Sequence, residues 1–502
     1  MNFDIYSFTA RLICEGDTVD AKVETAVTDS GFELYITAQQ DKPKFVELYW
    51  SVSGNPDTLV LGDAWERSYG DLEFRPLSDC VRHLPWYFIA TDKEKCFCLG
   101  VKTGANSFVS FKCNCDGIKA LVDCRNGGNG VHLGGRRVCL ATFICEEYNN
   151  ADVIACLKDF CRKMCDNPLL PKERVFGGNN WYYAYGESSY DEIIADARLQ
   201  AELAEGIGNK PFQVVDDCWQ IHECEGPWVV NEKFGDMQKL AEEIKTIGVR
   251  PGIWVRPLHN RDAVLTEDMR ILRDGERQYL DPTHPFVQEY IKNDIGRIRG
   301  WGYELVKHDF TTADLFGDWG RDLDATITMI DNWHFYDKTK TNAEIVLDLY
   351  RLIKDAAGDM LIIGCNTVSH LTAGLAHIYR TGDDTSGREW ERTRKMGVNT
   401  LAFRLAQNEA FYMCDADCVG IIEGCIPWEK NRQWLHLLSY SNTPLFISCT
   451  DKITKEQRED IIAAYRAFHE DHEFRPLDIF TTRTPEKWLI DGETVEYNWW
   501  DD

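Results

Sequence analysis

Apolar positions along the chain follow two different rhythms, and the change between them falls near residue 175. From Ile5 to about Phe143 short β-type runs are punctuated by Gly, Asn, Asp and Pro: Ile5–Cys14, Ala21–Thr28, Phe32–Thr37, Val46–Ser53, Trp86–Ala90, Cys96–Lys102, Ser107–Lys112 and Val138–Phe143. That pattern predicts an antiparallel β-sandwich over residues 1–150. Gly127-Gly128-Asn129-Gly130 does not read as a phosphate loop, because the next element is another strand rather than a helix. A helix is expected at Ala151–Met164, and Asn167-Pro168 through Pro171 makes 151–175 a helix-and-loop linker.

After Val175 apolar strands alternate with helical stretches, which implies βα units and a parallel sheet. Eight strands are expected, at Phe176–Tyr183, Phe212–Asp217, Arg250–Val255, Tyr303–Asp309, Met360–Cys365, His377–Thr381, Ala410–Asp415 and Thr443–Ile447. Helices are expected at Glu192–Glu205, Met237–Ile247, Phe286–Arg299, Ala343–Ala357, Glu429–Leu438 and Lys455–Glu470. The fold class predicted is therefore α/β, a (β/α)8 TIM barrel over 176–472 preceded by the antiparallel sandwich. Residues 473–502 leave room for one hairpin, Trp488–Ile490 with Thr494–Tyr497, a short C-terminal β remnant of an incomplete third domain.

Composition narrows the partners. With 55 basic and 82 acidic residues among 502, the formal charge of −27 disfavours nucleic acid and anionic membrane surfaces. No apolar run approaches the roughly 18 residues that cross a bilayer, and Met1-Asn2-Phe3-Asp4-Ile5 has no signal-like start, so a cytoplasmic protein is expected. The 19 cysteines then read as reduced thiols. Cys96/Cys98 and Cys113/Cys115 have the number of thiols for a zinc site, but C-x-C spacing on strands puts both on one face, where small thiols are ordinary core filling. No metal and no cofactor are expected.

In a TIM barrel the chemistry lies at the C-terminal ends of the strands. Those ends carry Asn179, Asn180, Trp181 and Tyr183; Asp216, Asp217 and Trp219; Trp254 and Arg256; Lys307 and Asp309; Cys365 and Asn366; Arg380, Asp383 and Asp384; and Asp415 and Asp417. Lys307 and Asp309 are two apart, so they share a strand face with Cα atoms about 6.5–7 Å apart, an arrangement suited to keeping a carboxylate ionised. Carboxylates and aromatic platforms, without metal spacing, a Ser-His-Asp order or a phosphate loop, suit glycoside hydrolysis; the alternative is a set of strand-end caps and ion pairs.

Six motifs in order carry a resemblance: Phe212-Gln213-Val214-Val215-Asp216-Asp217, Gly252-Ile253-Trp254, Lys307-His308-Asp309, Ile363-Gly364-Cys365-Asn366, Arg380-Thr381-Gly382-Asp383-Asp384-Thr385 and Asp415-Ala416-Asp417-Cys418. From about residue 177 to 450 the chain resembles glycoside hydrolase family 36 and its clan of α-galactosidases. The resemblance implies a retaining exo-α-glycosidase with Asp309 as nucleophile and Asp384, directly before the threonine of a G-x-D-T pattern, as general acid/base. It implies that Asp216 and Asp217 accept hydroxyls near C4 and C6, that Lys307 binds hydroxyls and keeps Asp309 charged, that Cys365 and Arg380 sit near the C2 substituent, and that Trp181 lines the sugar face. Trp254 and Asn366 join the same sugar-binding set. A small α-galactoside is the implied partner. Within that class an N-acetylgalactosaminide, a transglycosylation or a modified or acidic α-hexoside stays open, as does a sugar-binding protein without turnover.

Further expectations go beyond the motifs. Asp383 is a plausible source of the negative charge that would keep Asp384 protonated. Arg256 is either a cation for an unusual sugar or half of a salt bridge. Phe316, Trp319, Trp333, His334 and Phe335, after Asp309, either wall the leaving-group side or pack on the barrel. Trp65 is placed in the substrate site as a lid from the sandwich, with core packing as its alternative, and Arg388 is expected to shape the pocket while Glu391 and Arg392 stay solvated. No role is assigned to His370, His377 or His436. A chain that stops inside a hairpin leaves either dispensable strands or an edge covered in a homo-oligomer.

Overall fold

The computed structural model describes residues 3–500; Met1 and Asn2, where the start-of-chain reading and the first domain limit fall, and the C-terminal limit at 502 lie outside the described residues. The N-terminal part is a sandwich of two antiparallel sheets. One has the order Thr9–Cys14, Pro43–Ser51, Gly117–Asp123, Phe108–Asn114, Leu84–Pro85. The other has the order Lys22–Thr28, Gly31–Thr37, Arg137–Tyr148, Cys96–Val101, Tyr87–Thr91, Leu59–Gly62, Arg75–Pro76. Alternation builds the core between them: Val46, Leu48 and Trp50 point in and pair in register with Val122, Ala120 and Ile118. Gly117–Asp123 and Leu59–Gly62 are strands that apolar run length alone did not mark, because Lys119 interrupts the first and the second has only four residues. All 19 cysteines are free thiols; Cys96 and Cys98 lie on a strand of one sheet, Cys113 on a strand of the other and Cys115 in the turn that follows it.

Helix Val153–Met164 is capped by Asp152, whose carboxylate accepts from Ala155 N at 3.1 Å. Its buried stripe of Cys156, Leu157, Phe160, Cys161 and Met164 packs on strand Cys96–Val101 and on the barrel turn Leu405–Gln407, tying the two parts together. Trp86 of the sandwich also stacks on His370 of the barrel, ring centroids 5.0 Å apart.

The expected barrel is present as one parallel sheet, in the order Met413–Asp415, Ile378–Arg380, Leu361–Gly364, Leu305–His308, Arg250–Val255, Phe212–Val215, Phe176–Asn179, Leu445–Ser448, Cys418–Gly420. There are nine segments rather than eight because the seventh strand is broken. Met413–Asp415 pairs with the sixth strand and Cys418–Gly420 with the eighth, and Asp417 between them has φ 76°. Apolar residues of alternate positions fill the interior, among them Phe212, Val214, Leu305, Leu361, Ile363 and Ile378. The last segment is a three-stranded sheet, Phe474–Pro476, Lys487–Ile490 and Glu493–Glu496, one strand more than the expected hairpin. No helix among the described residues is long and apolar enough to cross a membrane.

Candidate active site

Extending the interior face of each strand by period two names the first layer of the barrel mouth. Phe212 and Val214 lead to Asp216, Leu305 leads to Lys307 and Asp309, Leu361 and Ile363 lead to Cys365, and Ile378 leads to Arg380. On the third strand Gly252, Trp254 and Arg256 share this face. A Cβ at Gly252 would come within 2.9 Å of Val214 and 3.2 Å of Leu305, so the strand is held close and the next two inward side chains reach the rim.

Lys307 does not bond Asp309. Its Nζ donates to Asp216 Oδ2 at 2.7 Å, and Asn179 Nδ2 donates to the same oxygen at 2.8 Å. Asp216 Oδ1 accepts from Asp217 N at 3.0 Å, so both of its oxygens are in use. Asp217 differs: its Oδ1 collects Cys218 N, Cys224 N and Gln220 Nε2 at 2.7, 3.1 and 2.6 Å, and burial pushes its pKa up.

Asp309 accepts from Phe310 N at 2.8 Å and from Trp254 Nε1 at 3.3 Å. Burial alone would raise its pKa, but Arg67 first and Lys307 second outweigh burial and hold the carboxyl below the usual range. Arg67 comes from the sandwich and was not anticipated; its only mark in the sequence is a buried-type setting, Trp65-Glu66-Arg67, with charges beside a tryptophan. Asp384 Oδ1 accepts from Arg380 Nη2 at 3.0 Å, and its side chain is 33% exposed. Here too burial is outweighed, by Arg380 and then Arg67, and the carboxyl is held low.

The expected proton-keeping role of Asp383 is overturned. Its carboxylate lies between Arg67 Nη2 at 3.3 Å and Arg392 Nη2 at 3.0 Å, so its charge is neutralised on both sides. Arg392 is accordingly half-buried and bonded, also donating to Asp384 O at 2.9 Å, rather than solvated. Arg380 is buried among Asp417, with which it forms an ion pair, Tyr182 Oη at 3.1 Å and Cys365 Sγ at 3.9 Å.

Three expected contacts with substrate are corrected. Trp65 is 2% exposed, packed edge-on against Trp86 and Phe108 with its Nε1 on Asp324 O at 2.9 Å, so it is core and not a lid. Asn366 is buried with both ends of its amide occupied, by Glu66 and by Ala313 N at 3.2 Å. Arg256 grips Asp314 with two bonds, 3.0 and 2.7 Å, under the Phe310 ring, which selects the salt-bridge alternative. Of the aromatic loop, Phe316, Trp333 and Phe335 are core, whereas Trp319 is half-buried against Phe310 with Arg67 over its ring at 5.1 Å. Trp181 is half-buried beside Tyr185, and Arg388 is exposed over the Tyr185 ring at 4.6 Å.

Among the described residues no group of three or more His, Cys, Asp or Glu is placed to hold a metal. A cleft of about 900 Å³ at the opposite end of the barrel, touching Lys172, Lys245, Arg250 and Glu304, contains none of the rim residues.

A sandwich joined to a parallel barrel with an acidic, cation-braced mouth defines the class of architecture. No protein-family model matches the sequence, and no curated protein is significantly similar to it. The fold is that of glycoside hydrolase family 36 structures. An α-galactosidase from Thermus thermophilus, in complex with p-nitrophenyl α-D-galactopyranoside, superposes with a TM-score of 0.66 at 15% identity, covering 97% of this chain and 99% of that one. A variant of the family 36 α-galactosidase AgaA from Geobacillus stearothermophilus, in complex with raffinose, gives 0.61 at 13% identity over 91% of this chain and 69% of that one. AgaB from the same organism gives 0.61 at 12% over 92% and 69%.

Proposed function

We propose that the protein is a retaining exo-α-glycosidase that releases terminal α-galactosyl groups, with Asp309 as nucleophile and Asp384 as acid/base. The observation that carries this reading is the contrast between the two carboxylates. Asp309 is buried, cation-stabilised and hydrogen-bonded in the mouth, while Asp384 is a third exposed in the loop after the sixth strand and near enough for its charge to act on Asp309. The likeness of fold to α-galactosidases seen with p-nitrophenyl galactoside and raffinose supports it further.

In the first displacement Asp309 attacks C1, the bond from C1 to the leaving oxygen breaks, and the proton on Asp384 passes to that oxygen. In the second, water attacks C1, its proton returns to Asp384, and the ester to Asp309 breaks. A nucleophile held ionised by cations fits the first role. The acid must carry a proton when substrate is bound; a bound sugar covers the exposed third of Asp384 and desolvates it, which raises its affinity for a proton. Asp217 Oδ2, Lys307, Trp181 and the Cys365–Arg380 pair hold the glycone, and Arg388 with Tyr185 borders the leaving group. With Arg256 committed to Asp314, the acidic-sugar alternative loses its motive.

The test is a panel of aryl α-galactoside, N-acetylgalactosaminide, glucoside and glucuronide with wild type, Asp309→Ala and Asp384→Ala. Galactoside is expected to be the best substrate, with each variant losing roughly a thousandfold or more in kcat. Azide is expected to give α-galactosyl azide with Asp384→Ala and the β-anomer with Asp309→Ala. Turnover of none of the four sugars favours a binding protein, and full activity in Asp309→Ala removes the nucleophile.

A further inference from the structure

The segment Asp63–Gly70 leaves the sandwich and enters the barrel mouth, where it is fastened along its length. Asp63 accepts from Arg404 Nε at 2.8 Å, and Arg404 Nη2 donates to Glu66 O at 2.6 Å. Ser68 N donates to Thr381 O at 2.8 Å and Asp383 N donates back to Ser68 O at 3.3 Å, so the strap adds a rung to the end of the sixth strand. Gly382 lies at that crossing, where a Cβ would stand 2.0 Å from Met396 O. Glu66 is fully buried and keys three neighbours: it accepts from Gly320 N, from Tyr69 Oη at 2.8 Å and from Asn366 Nδ2.

Held between these fixtures, the Arg67 side chain is 7% exposed and has little freedom. Its guanidinium meets Asp383 at 3.3 Å, Tyr69 Oη at 3.5 Å and the face of Trp319 at 5.1 Å. Trp319 packs in turn on Phe310, ring centroids 5.5 Å apart, and the Phe310 N–H donates to Asp309 at 2.8 Å. The ionisable groups acting on Asp309 include Lys307 and the neutral His308 from its own strand, Asp384 from the loop after the sixth strand, Cys365 from the end of the fifth, Asp314 from the helix Thr311–Phe316, Cys224 from the turn before strand Glu225–Val230, and Arg67 from the sandwich. Lys307 is already bonded to Asp216, and Arg256 to Asp314. Arg67 shares its charge with Asp383 alone among carboxylates in direct contact, and it does so in a setting where charges act strongly.

We propose that Arg67 is a positioning residue of the active site, a cation supplied by the sandwich that completes the environment of Asp309, so that the rim built by the barrel strands is incomplete without the strap. This rests on Asp309 being the nucleophile. The strap is thereby both a structural key and a source of charge, and the two roles separate on substitution: Arg67→Lys keeps the charge and Arg67→Met keeps only the bulk.

The first measurement is the titration of the Asp309 carboxyl by carbon-13 NMR of the full chain, assigned by its loss in Asp309→Asn. It needs no substrate. Arg67→Met is expected to raise the Asp309 midpoint by about one unit or more and Arg67→Lys by less than half as much. Asp383→Asn, which frees Arg67 from its partner, is expected to lower it, so a variant of opposite sign remains if Arg67→Met fails to fold. The second measurement is kcat/KM against pH on aryl α-galactoside, where the acid limb is expected to move with the same signs. A midpoint unmoved in folded Arg67→Met, or unmoved in Asp383→Asn, overturns the proposal. Wild type that turns over no galactoside overturns the assigned reaction and leaves the titration to decide the role of Arg67.

Discussion

Lys307 Nζ stands 2.7 Å from Asp216 Oδ2, so the lysine two residues before the nucleophile candidate braces the second strand rather than its own. Both groups are buried, with side-chain exposures of 11% and 3%. Removing one member of such a pair leaves an uncompensated buried charge. Lys307→Met is expected to cost about 3–5 kcal/mol, read as a lower midpoint in urea unfolding. Adding Asp216→Asn is expected to restore a large part of that loss. A double variant no more stable than the single one contradicts the pairing.

Arg256 and Asp314 form the second buried pair, and here chemistry and stability separate. Asp314 is pushed up to about 6 by burial even with Arg256 bonded to it, so the guanidinium has no charge to spare for an acidic sugar. Turnover of aryl α-glucuronide is expected to be at least roughly a hundredfold slower than that of galactoside, because a carboxylate brought to the glycone side of the mouth meets Asp216 and Asp217, with Lys307 and Arg256 already paired. Comparable rates on the two would return Arg256 to a substrate-binding role.

Two buried acids, one on the helix Tyr190–Leu203 and one at the end of strand Met413–Asp415, contribute to stability in the same pH-dependent direction. Asp196, bonded to Tyr183 Oη, is raised to about 7 by burial, and Asp415 to about 6. An acid whose folded pKa is above its unfolded value near 4 binds more protons in the native state. Stability therefore rises as pH falls through the folded pKa and levels off below the unfolded one. Asp196→Asn, which keeps an acceptor for Tyr183, is expected to lose the part of the profile that Asp196 supplies, so that the Tm difference between wild type and variant shifts in favour of wild type from pH 8 to pH 5. An identical slope in the variant rules out Asp196 as a contributor.

Much of the barrel was legible because its strands alternate inward and outward with a period of two. Once the apolar runs were placed, the inward positions at their ends, Asp216, Lys307, Asp309, Cys365 and Arg380, followed from parity alone. The short strands Leu59–Gly62 and Gly117–Asp123 were not legible, since too few apolar positions distinguish them from loops. The break in the seventh strand was hidden too, because a left-handed residue at Asp417 leaves no apolar signature.

Which charge acts on which was beyond local pattern. Sequence proximity suggested that Lys307 serves Asp309 and that Asp383 acts on Asp384; in the fold Lys307 bonds Asp216 while its charge still acts on Asp309, and Asp383 is bound by Arg67 and Arg392. Sequence by itself determined the two-part architecture and the ring of groups at the mouth, because secondary structure dictates the direction of neighbouring side chains. Only the tertiary structure decided their partners and brought Arg67 from the sandwich into the mouth beside Asp383, because electrostatic interaction follows distance in space and burial, neither of which is written in the spacing of residues along the chain.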